Sequence, residues 1–469
     1  MTLPTWPDRV APQHRVHVNR TLNLRTIKAI GYDMDYTLVG YQAAEWEERA
    51  YKYLKENLLD LGWGSPRFVA LEFDAERVIR GLVVDQQLGN LLKVNRFAYI
   101  KQARHGLQEM PYEQLRAQYF GSPIDLTDPR FVQLDTLFSL SEGCVFAQLV
   151  DLFDSEGLPG VHDYHGIWQR VRKALDEAHI EGELKRDLLK DPDRYLVRDP
   201  LAARTLIEQK QAGKKLILIT NSGWAFSRQV MALAYDDYLP GDMTWRDLFD
   251  VVIVSSRKPG FFTSNHRFFE VMDDAGDHLK PFSGELRSDA VYLGGDAAQL
   301  ENLLGLSGDE ILYVGDHIYG DVIVSKNLLQ WRTCLILSEM DQEVAYLEAI
   351  VPIQAEVDRL MAMKQALEIQ YDRLRSVDLL GDKGSVDEQD ELRQRLLSID
   401  AQLGEELRSM AGHSNPYWGP LMRAGADESL LADQVERYAC VYASLVSALG
   451  VATPFHYFRS KRSMLPHDL

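Results

Sequence analysis

Short apolar runs recur along the chain, and each breaks into a polar or glycine-containing turn. They are Ile27-Lys28-Ala29-Ile30-Gly31-Tyr32, Lys215-Leu216-Ile217-Leu218-Ile219, Val251-Val252-Ile253-Val254, Glu310-Ile311-Leu312-Tyr313-Val314 and Thr333-Cys334-Leu335-Ile336-Leu337. Strands this continuously apolar, with helical segments between them, belong to a parallel sheet covered on both faces. Residues 201–211 read as one such helix, stopped by Gly213. The expected class is α/β with a doubly wound parallel sheet. Chemistry in such sheets sits beyond the carboxyl ends of the strands.

The interval 42–200 departs from this alternation. Helical patterns over 45–60, 166–179 and 182–189, with a few candidate strands, predict an inserted, mainly helical cap. Beyond about residue 345 the helical period dominates. Val357, Leu360, Met361, Met363 and Leu367 mark one helix, and Leu392, Leu396, Leu397 and Leu403 a second, with a loop over 380–385. The Met and Leu stripe reads as packing surface rather than a cofactor site. A closing helix is predicted over 428–449. The expected plan is a Rossmann-like core from 1–41 and 201–345, a cap over 42–200, and a helical hairpin with a closing helix over 346–469.

Charge narrows the partners. The 469 residues hold 51 Lys and Arg against 70 Asp and Glu, a net charge of −19. That surplus disfavours nucleic-acid polymers and anionic membranes, whose non-specific attraction needs Lys and Arg. A small phosphorylated substrate stays open, because a local pocket can reverse the global sign. Cys144, Cys334 and Cys440 lie far apart without CxxC spacing, which suits a reducing compartment rather than a disulfide scaffold. The first residues carry no long apolar run. The uncharged stretch 439–455 is interrupted by Gly450 and Pro454, too short and polar for a membrane span. A cytoplasmic location is expected.

Four strand ends carry the candidate chemistry. Asp33 and Asp35 follow the first strand, and on extended chain i and i+2 share a side. Two carboxylates there are costly unless they share a cation or one is protonated. One can attack as nucleophile while the other serves as acid and then base. Thr220, Asn221 and Ser222 follow the second strand and can donate to phosphate oxygens, although Asn and Ser also make ordinary helix caps. Lys258 stands before Pro259 as a compact positive charge. Asp316 and Asp321 flank a tight turn, and such hard oxygen ligands suit Mg²⁺ better than zinc. His317 reads as a structural hydrogen-bonding residue.

This ordered set resembles the haloacid dehalogenase-like superfamily of phosphotransferases, with Asp35 favouring its phosphatase branch. A closer resemblance covers nearly the whole chain: the cytosolic purine 5′-nucleotidase family, specific for IMP and GMP. It is carried by Asp33-Met34-Asp35-Tyr36-Thr37-Leu38, by Arg257-Lys258-Pro259-Gly260-Phe261-Phe262, by Gly315 to Asp321, and by Gln434 to Ala439 with Met464 to Asp468. The resemblance implies a metal-dependent nucleotide phosphatase working through an aspartyl-phosphate. Asp33 would be the nucleophile and Asp35 the acid and base. Mg²⁺ would sit on Asp33, the Asp35 carbonyl and Asp316, with Asp321 orienting its shell. Thr220, Asn221, Ser222, Lys258 and Lys185 would bind phosphate.

The nucleoside-recognition helix resembles residues 168–179, with Arg172 and Asp176 addressing the purine and Phe138 stacking on it. Arg172, Asp176 and His179 share one helix face; an i, i+4 surface ion pair would look the same. Ile180 replaces the tyrosine usual in the family. Phosphotransfer to a nucleoside and assembly into a homodimer or homotetramer are further implications. Around Tyr319 and Ser325-Lys326-Asn327 the chain has fewer basic residues than the animal members, which argues against their nucleotide activation. The competing readings are a phosphatase for another small phosphate ester and a catalytically silent nucleotide-binding scaffold.

Overall fold

A computed structural model describes residues 4–6, 11, 14–121, 123–180, 182–379 and 386–462. Among the described residues, ten strands form the main sheet. They are β1 (His17–Val18), β2 (Ala29–Tyr32), β3 (Lys215–Ile219), β4 (Val251–Val254), β5 (Phe268–Val271), β6 (Leu279–Pro281), β7 (Val291–Gly294), β8 (Ile311–Gly315), β9 (Arg332–Ile336) and β10 (Val441–Ala443). Their order is β1-β10-β9-β8-β2-β3-β4-β7-β5-β6. The run from β10 to β7 is parallel throughout, and β1, β5 and β6 are antiparallel edges. Every residue of β2, β4 and β8 is buried, as strands covered on both faces must be.

The sheet order fixes the site. From β2 the chain builds outward through β3, β4 and β7, then returns to the other side of β2 for β8, β9 and β10. The crevice between β2 and β8 is therefore a topological switch point, where ligands of doubly wound sheets bind. Tyr32 stands opposite both Leu218 and Val314, so the tips of β2, β3 and β8 end at one level.

The insertion carries the three expected helices, α1 (Ala43–Asp60), α3 (Tyr164–Ile180) and α4 (Glu183–Lys190), and a further one that the pattern does not predict, α2 (Leu140–Glu156). It also carries a five-stranded antiparallel sheet, Gln108–Glu109, Ile100–His105, Asn90–Val94, Val83–Asp85 and Phe131–Gln133 in spatial order. Short charged strands such as Ile-Lys-Gln-Ala-Arg-His hide from a period-2 reading. Their own Val83, Leu92, Val94 and Ala103 form one apolar cluster with Leu115 and Tyr119.

The described chain divides into two compact units, one of Met1–Asp341 with Leu421–Leu469 and one of Gln342–Pro420. The second is a helical hairpin from Met340–Leu379 and Val386–Ala411. Its seam is Val357, Leu360 and Leu367 against Leu392, Ile399 and Leu403, a near-heptad pattern that keeps five residues of the expected stripes and adds Ile399. Met361, Met363 and Leu397 fall off that seam and are exposed. The loop predicted over 380–385 lies outside the described residues, as does Met464 to Asp468.

The closing helix needs correction. It ends at Tyr438 (Leu430–Tyr438), and the chain then enters the main sheet as β10 before a short helix, Ser447–Val451. Cys440 N–H donates to the Thr333 carbonyl, and Val441 is fully buried. The run Ala-Cys-Val-Tyr-Ala thus suits a strand between β1 and β9 better than a helix. No helix among the described residues is long and apolar enough to cross a membrane.

Candidate active site

Beyond β2 the chain keeps its ladder for one more residue, with Asp33 N–H donating to the Val314 carbonyl at 2.9 Å. It then turns sharply through Tyr36 at φ 55°. The Asp33 carboxylate meets the Lys258 ammonium at 2.7 Å, and the same ammonium lies 2.8 Å from Asp321 and donates to the Tyr313 hydroxyl at 3.0 Å. Asp35 faces different partners. Its two oxygens accept from Tyr41 and Ser222 hydroxyls, the latter at 2.8 Å. Two aspartates two residues apart thus hold distinct chemical positions.

The turn after β3 does more bracing than the sequence alone conveys. The Asn221 carbonyl oxygen accepts from Lys258 N–H at 2.6 Å and from the Ser256 hydroxyl at 2.9 Å, while its NH₂ donates to the Lys258 carbonyl at 3.0 Å. That amide grips the lysine loop. Thr220 is fully buried, and its hydroxyl oxygen accepts from Ser222 N–H at 3.0 Å. Lys185, from α4, places its ammonium 3.4 Å from the Ser222 hydroxyl and 4.8 Å from the Phe226 ring centre.

Asp316 follows β8, and Asp321 folds back over the same strand end. A Cβ on Gly315 would lie 2.6 Å from the Asp321 carboxyl carbon, so only glycine admits this approach. His317 N–H donates to Asp321 at 3.2 Å. Carboxylate oxygens of Asp33, Asp316 and Asp321 come within 4.8 Å of one another, and all three residues are buried. One oxygen of Asp316 is buried with no hydrogen-bond partner. Asp321 therefore stands inside the acidic trio, whereas the Asp35 carboxylate is turned to its hydroxyl donors.

Burial pushes Asp33 up to about 7; Lys258 pulls against this, and the nearby Asp321 and Asp35 charges add to it. Burial, then Asp33 and Asp321, push Asp316 well above the usual carboxyl range. Burial alone would lower Lys258, but Asp321 and Asp33 outweigh it and hold the ammonium charged. One lysine does not neutralise three carboxylates. The residues present fit a hard divalent cation in donor type, spacing and unmet coordination.

These groups open into a cavity of about 560 Å³ whose other walls come mostly from the insertion, with Phe226 and Tyr319 from the core. Phe138 stands edge-on to Tyr36 with ring centres 4.6 Å apart, and Trp46 lines the same space. Arg172 of α3 reaches in, its Nε 3.2 Å from the buried Glu142. Asp176 and His179 lie on α3, with side chains outside the described set. His317 also reaches the cavity, its Nδ1 3.4 Å from Asp135.

Tyr41, Tyr313 and Glu142 were not singled out in the sequence, and each contacts a residue that was. Arg80 was also missed. Its buried guanidinium holds the Asp316 carbonyl at 3.0 Å. Tyr313 is hidden within an apolar strand run, and no short motif surrounds Glu142 or Arg80.

The 5′ nucleotidase family model matches residues 16–469. The chain belongs to the 5′ nucleotidase family. It is thereby a phosphoric monoester hydrolase of the 5′-nucleotidase type. Similar proteins include a 5′-nucleotidase domain-containing protein of Dictyostelium discoideum, 25% identical over 97% of this chain and 74% of its own length. Another is 5′-nucleotidase domain-containing protein 2 of Rattus norvegicus, 26% identical over 97% of this chain and 80% of its own. Among solved structures, an archaeal β-phosphoglucomutase of a hyperthermophilic Pyrococcus aligns over 66% of this chain and 87% of its own, with 11% identity and a TM-score of 0.30.

Proposed function

We propose that this family member hydrolyses purine nucleoside 5′-monophosphates, IMP and GMP foremost, through an aspartyl-phosphate on Asp33 with Mg²⁺ bound by Asp33, Asp316 and the Asp35 carbonyl, beside Asp321. The observation that carries it is the unequal setting of the two aspartates at one strand tip, facing a cavity with an aromatic and arginine wall.

A divalent cation bound there supplies charge neutralisation, so that an anionic phosphoryl group can approach the carboxylates. Asp33 then attacks phosphorus in line, forming the Asp33–P bond as the P–O5′ bond breaks. Asp35 gives its proton to the departing ribose oxygen. The same residue takes a proton from water as that water attacks phosphorus, which frees Asp33 and releases phosphate. Tyr41 and Ser222 suit this double duty. Hydroxyls accept as readily as they donate, so Asp35 keeps its place in either protonation state. Lys258, the Ser222 hydroxyl and Lys185 stabilise the transferring oxygens, with Thr220 and Asn221 holding that turn. A nucleoside replacing water at the second step would make the protein a phosphotransferase.

Phe138, backed by the buried Trp46, offers flat apolar surface to a purine, and Arg172 offers donors to its oxo and ring-nitrogen acceptors, with Asp176 and His179 on the same helix. The sequence resemblance supports a cytoplasmic homodimer or homotetramer, and the three cysteines are free and buried as a reducing compartment allows. Phosphate release across a nucleotide panel, with Mg²⁺ and with chelator, tests the reading. IMP and GMP should turn over well ahead of AMP and pyrimidine nucleotides, and chelation should stop release. A flat panel, or turnover indifferent to chelation, would overturn it.

A further inference from the structure

Arg80 lies in the insertion, remote in sequence from every strand-end residue, yet its side chain is only 1% exposed. Its Nε donates to one Glu339 oxygen at 2.8 Å and one terminal nitrogen to the other at 2.5 Å, a two-pronged grip. The second terminal nitrogen donates to the Asp316 carbonyl at 3.0 Å. We propose that Arg80 is a positioning residue that ties the inserted domain to the Asp316 peptide and so sets the aim of the Asp316 carboxylate toward a bound cation. This rests on the reading of Asp33, Asp316 and Asp321 as the cation site.

The geometry leaves Arg80 little freedom to do anything else. A buried guanidinium is costly unless its donors are used, and here every nitrogen is engaged. The next residue, Gly81, has φ +90° and donates to the Leu134 carbonyl at 2.6 Å, and Leu134 N–H returns to the Leu82 carbonyl at 2.8 Å. A Cβ on Gly81 would lie 2.8 Å from the Leu431 Cβ. The backbone carrying Arg80 is thus clamped on both sides. Its target is also specific, because the gripped carbonyl belongs to the residue whose buried carboxylate oxygen has no hydrogen-bond partner. Lysine could supply charge but not a planar fork with a third donor held at a fixed angle.

The test measures cation binding directly on the full chain, by calorimetry or by paramagnetic resonance of Mn²⁺, in the wild type, Arg80→Lys, Arg80→Met and Glu339→Gln. Partners that orient metal ligands are worth about 10–100-fold in affinity. Arg80→Lys and Arg80→Met should weaken Mn²⁺ binding by about tenfold or more. The Mg²⁺ concentration for half-maximal phosphate release should rise by the same factor, and kcat should recover at high Mg²⁺ with nucleotide KM nearly unchanged. Glu339→Gln keeps one acceptor for the fork and should shift both readouts in the same direction by less. If Arg80→Met melts early, Arg80→Lys and Glu339→Gln decide. Wild-type affinity in those two variants, or lost turnover that no Mg²⁺ concentration restores while Mn²⁺ still binds normally, would overturn the role. A wild type that binds no Mn²⁺ would instead remove the cation site and the proposal with it.

Discussion

Asp33 and Asp35 differ only in what surrounds them, and the proposed division of work between them rests on those surroundings. Asp33 shares Lys258 with Asp321 and sits among like charges, whereas Asp35 sees two hydroxyls. A third buried acid, Glu47 on α1, makes a separate prediction. Burial pushes it up to about 7, partly offset by the Ser141 N–H that donates to it at 2.8 Å. A raised carboxyl contributes stability that is complete below its unfolded value and lost as pH rises through its folded one. Wild-type stability should therefore fall between about pH 4.5 and 7 by up to roughly 3 kcal/mol more than that of Glu47→Gln. Thermal melts across that range read the difference, and parallel curves would contradict it.

The residues legible in the sequence at this scale, Asp33, Asp35, Lys258, Asp316 and Asp321, share one property: each lies in the turn that follows an apolar strand. Tyr41, Tyr313, Glu142 and Arg80 do not announce themselves, because folding rather than local spacing brings them to those residues.

At the scale of elements, the proposed substrate choice rests on α3. Arg172 projects from it into the cavity beside Glu142, so Arg172→Ala should act on the base and not on the phosphoryl group. A charged hydrogen bond is worth about 1.5–3 kcal/mol. The kcat/KM for IMP should then drop by about 10–100-fold, while a small aryl phosphate loses about twofold or less. Equal losses on both substrates would remove Arg172 from base recognition. Long helices with a 3.6-residue period and fully buried strands were readable, and so the doubly wound sheet was too. The insertion's sheet was not, since its strands are short and charged. The β10 strand was hidden for the opposite reason: after the helix Leu430–Tyr438 its small apolar residues continue a helical pattern, and only the empty place between β1 and β9 makes them a strand.

Over the whole molecule the net charge of −19 is mostly a property of the surface, but the same sign converges at the strand tips. There the acidic trio creates a demand for a cation that one lysine does not meet. The insertion answers part of it from outside the sheet, with Arg80 braced on Asp316 and Lys185 set beside Ser222. On the proposed reading, base recognition, metal aim and phosphate contacts are spread between core and insertion, while the nucleophile stays on the core. The central claim is that Asp33 itself carries the phosphoryl group. Rapid acid quench of the protein turning over IMP with Mg²⁺, followed by peptide mass mapping, tests it most directly. The account predicts a phosphoryl group on the peptide containing Asp33, and Asp33→Asn that is folded, unphosphorylated and without phosphate release. Phosphate release by Asp33→Asn near the wild-type rate, or a phosphoryl group on another residue, would contradict it.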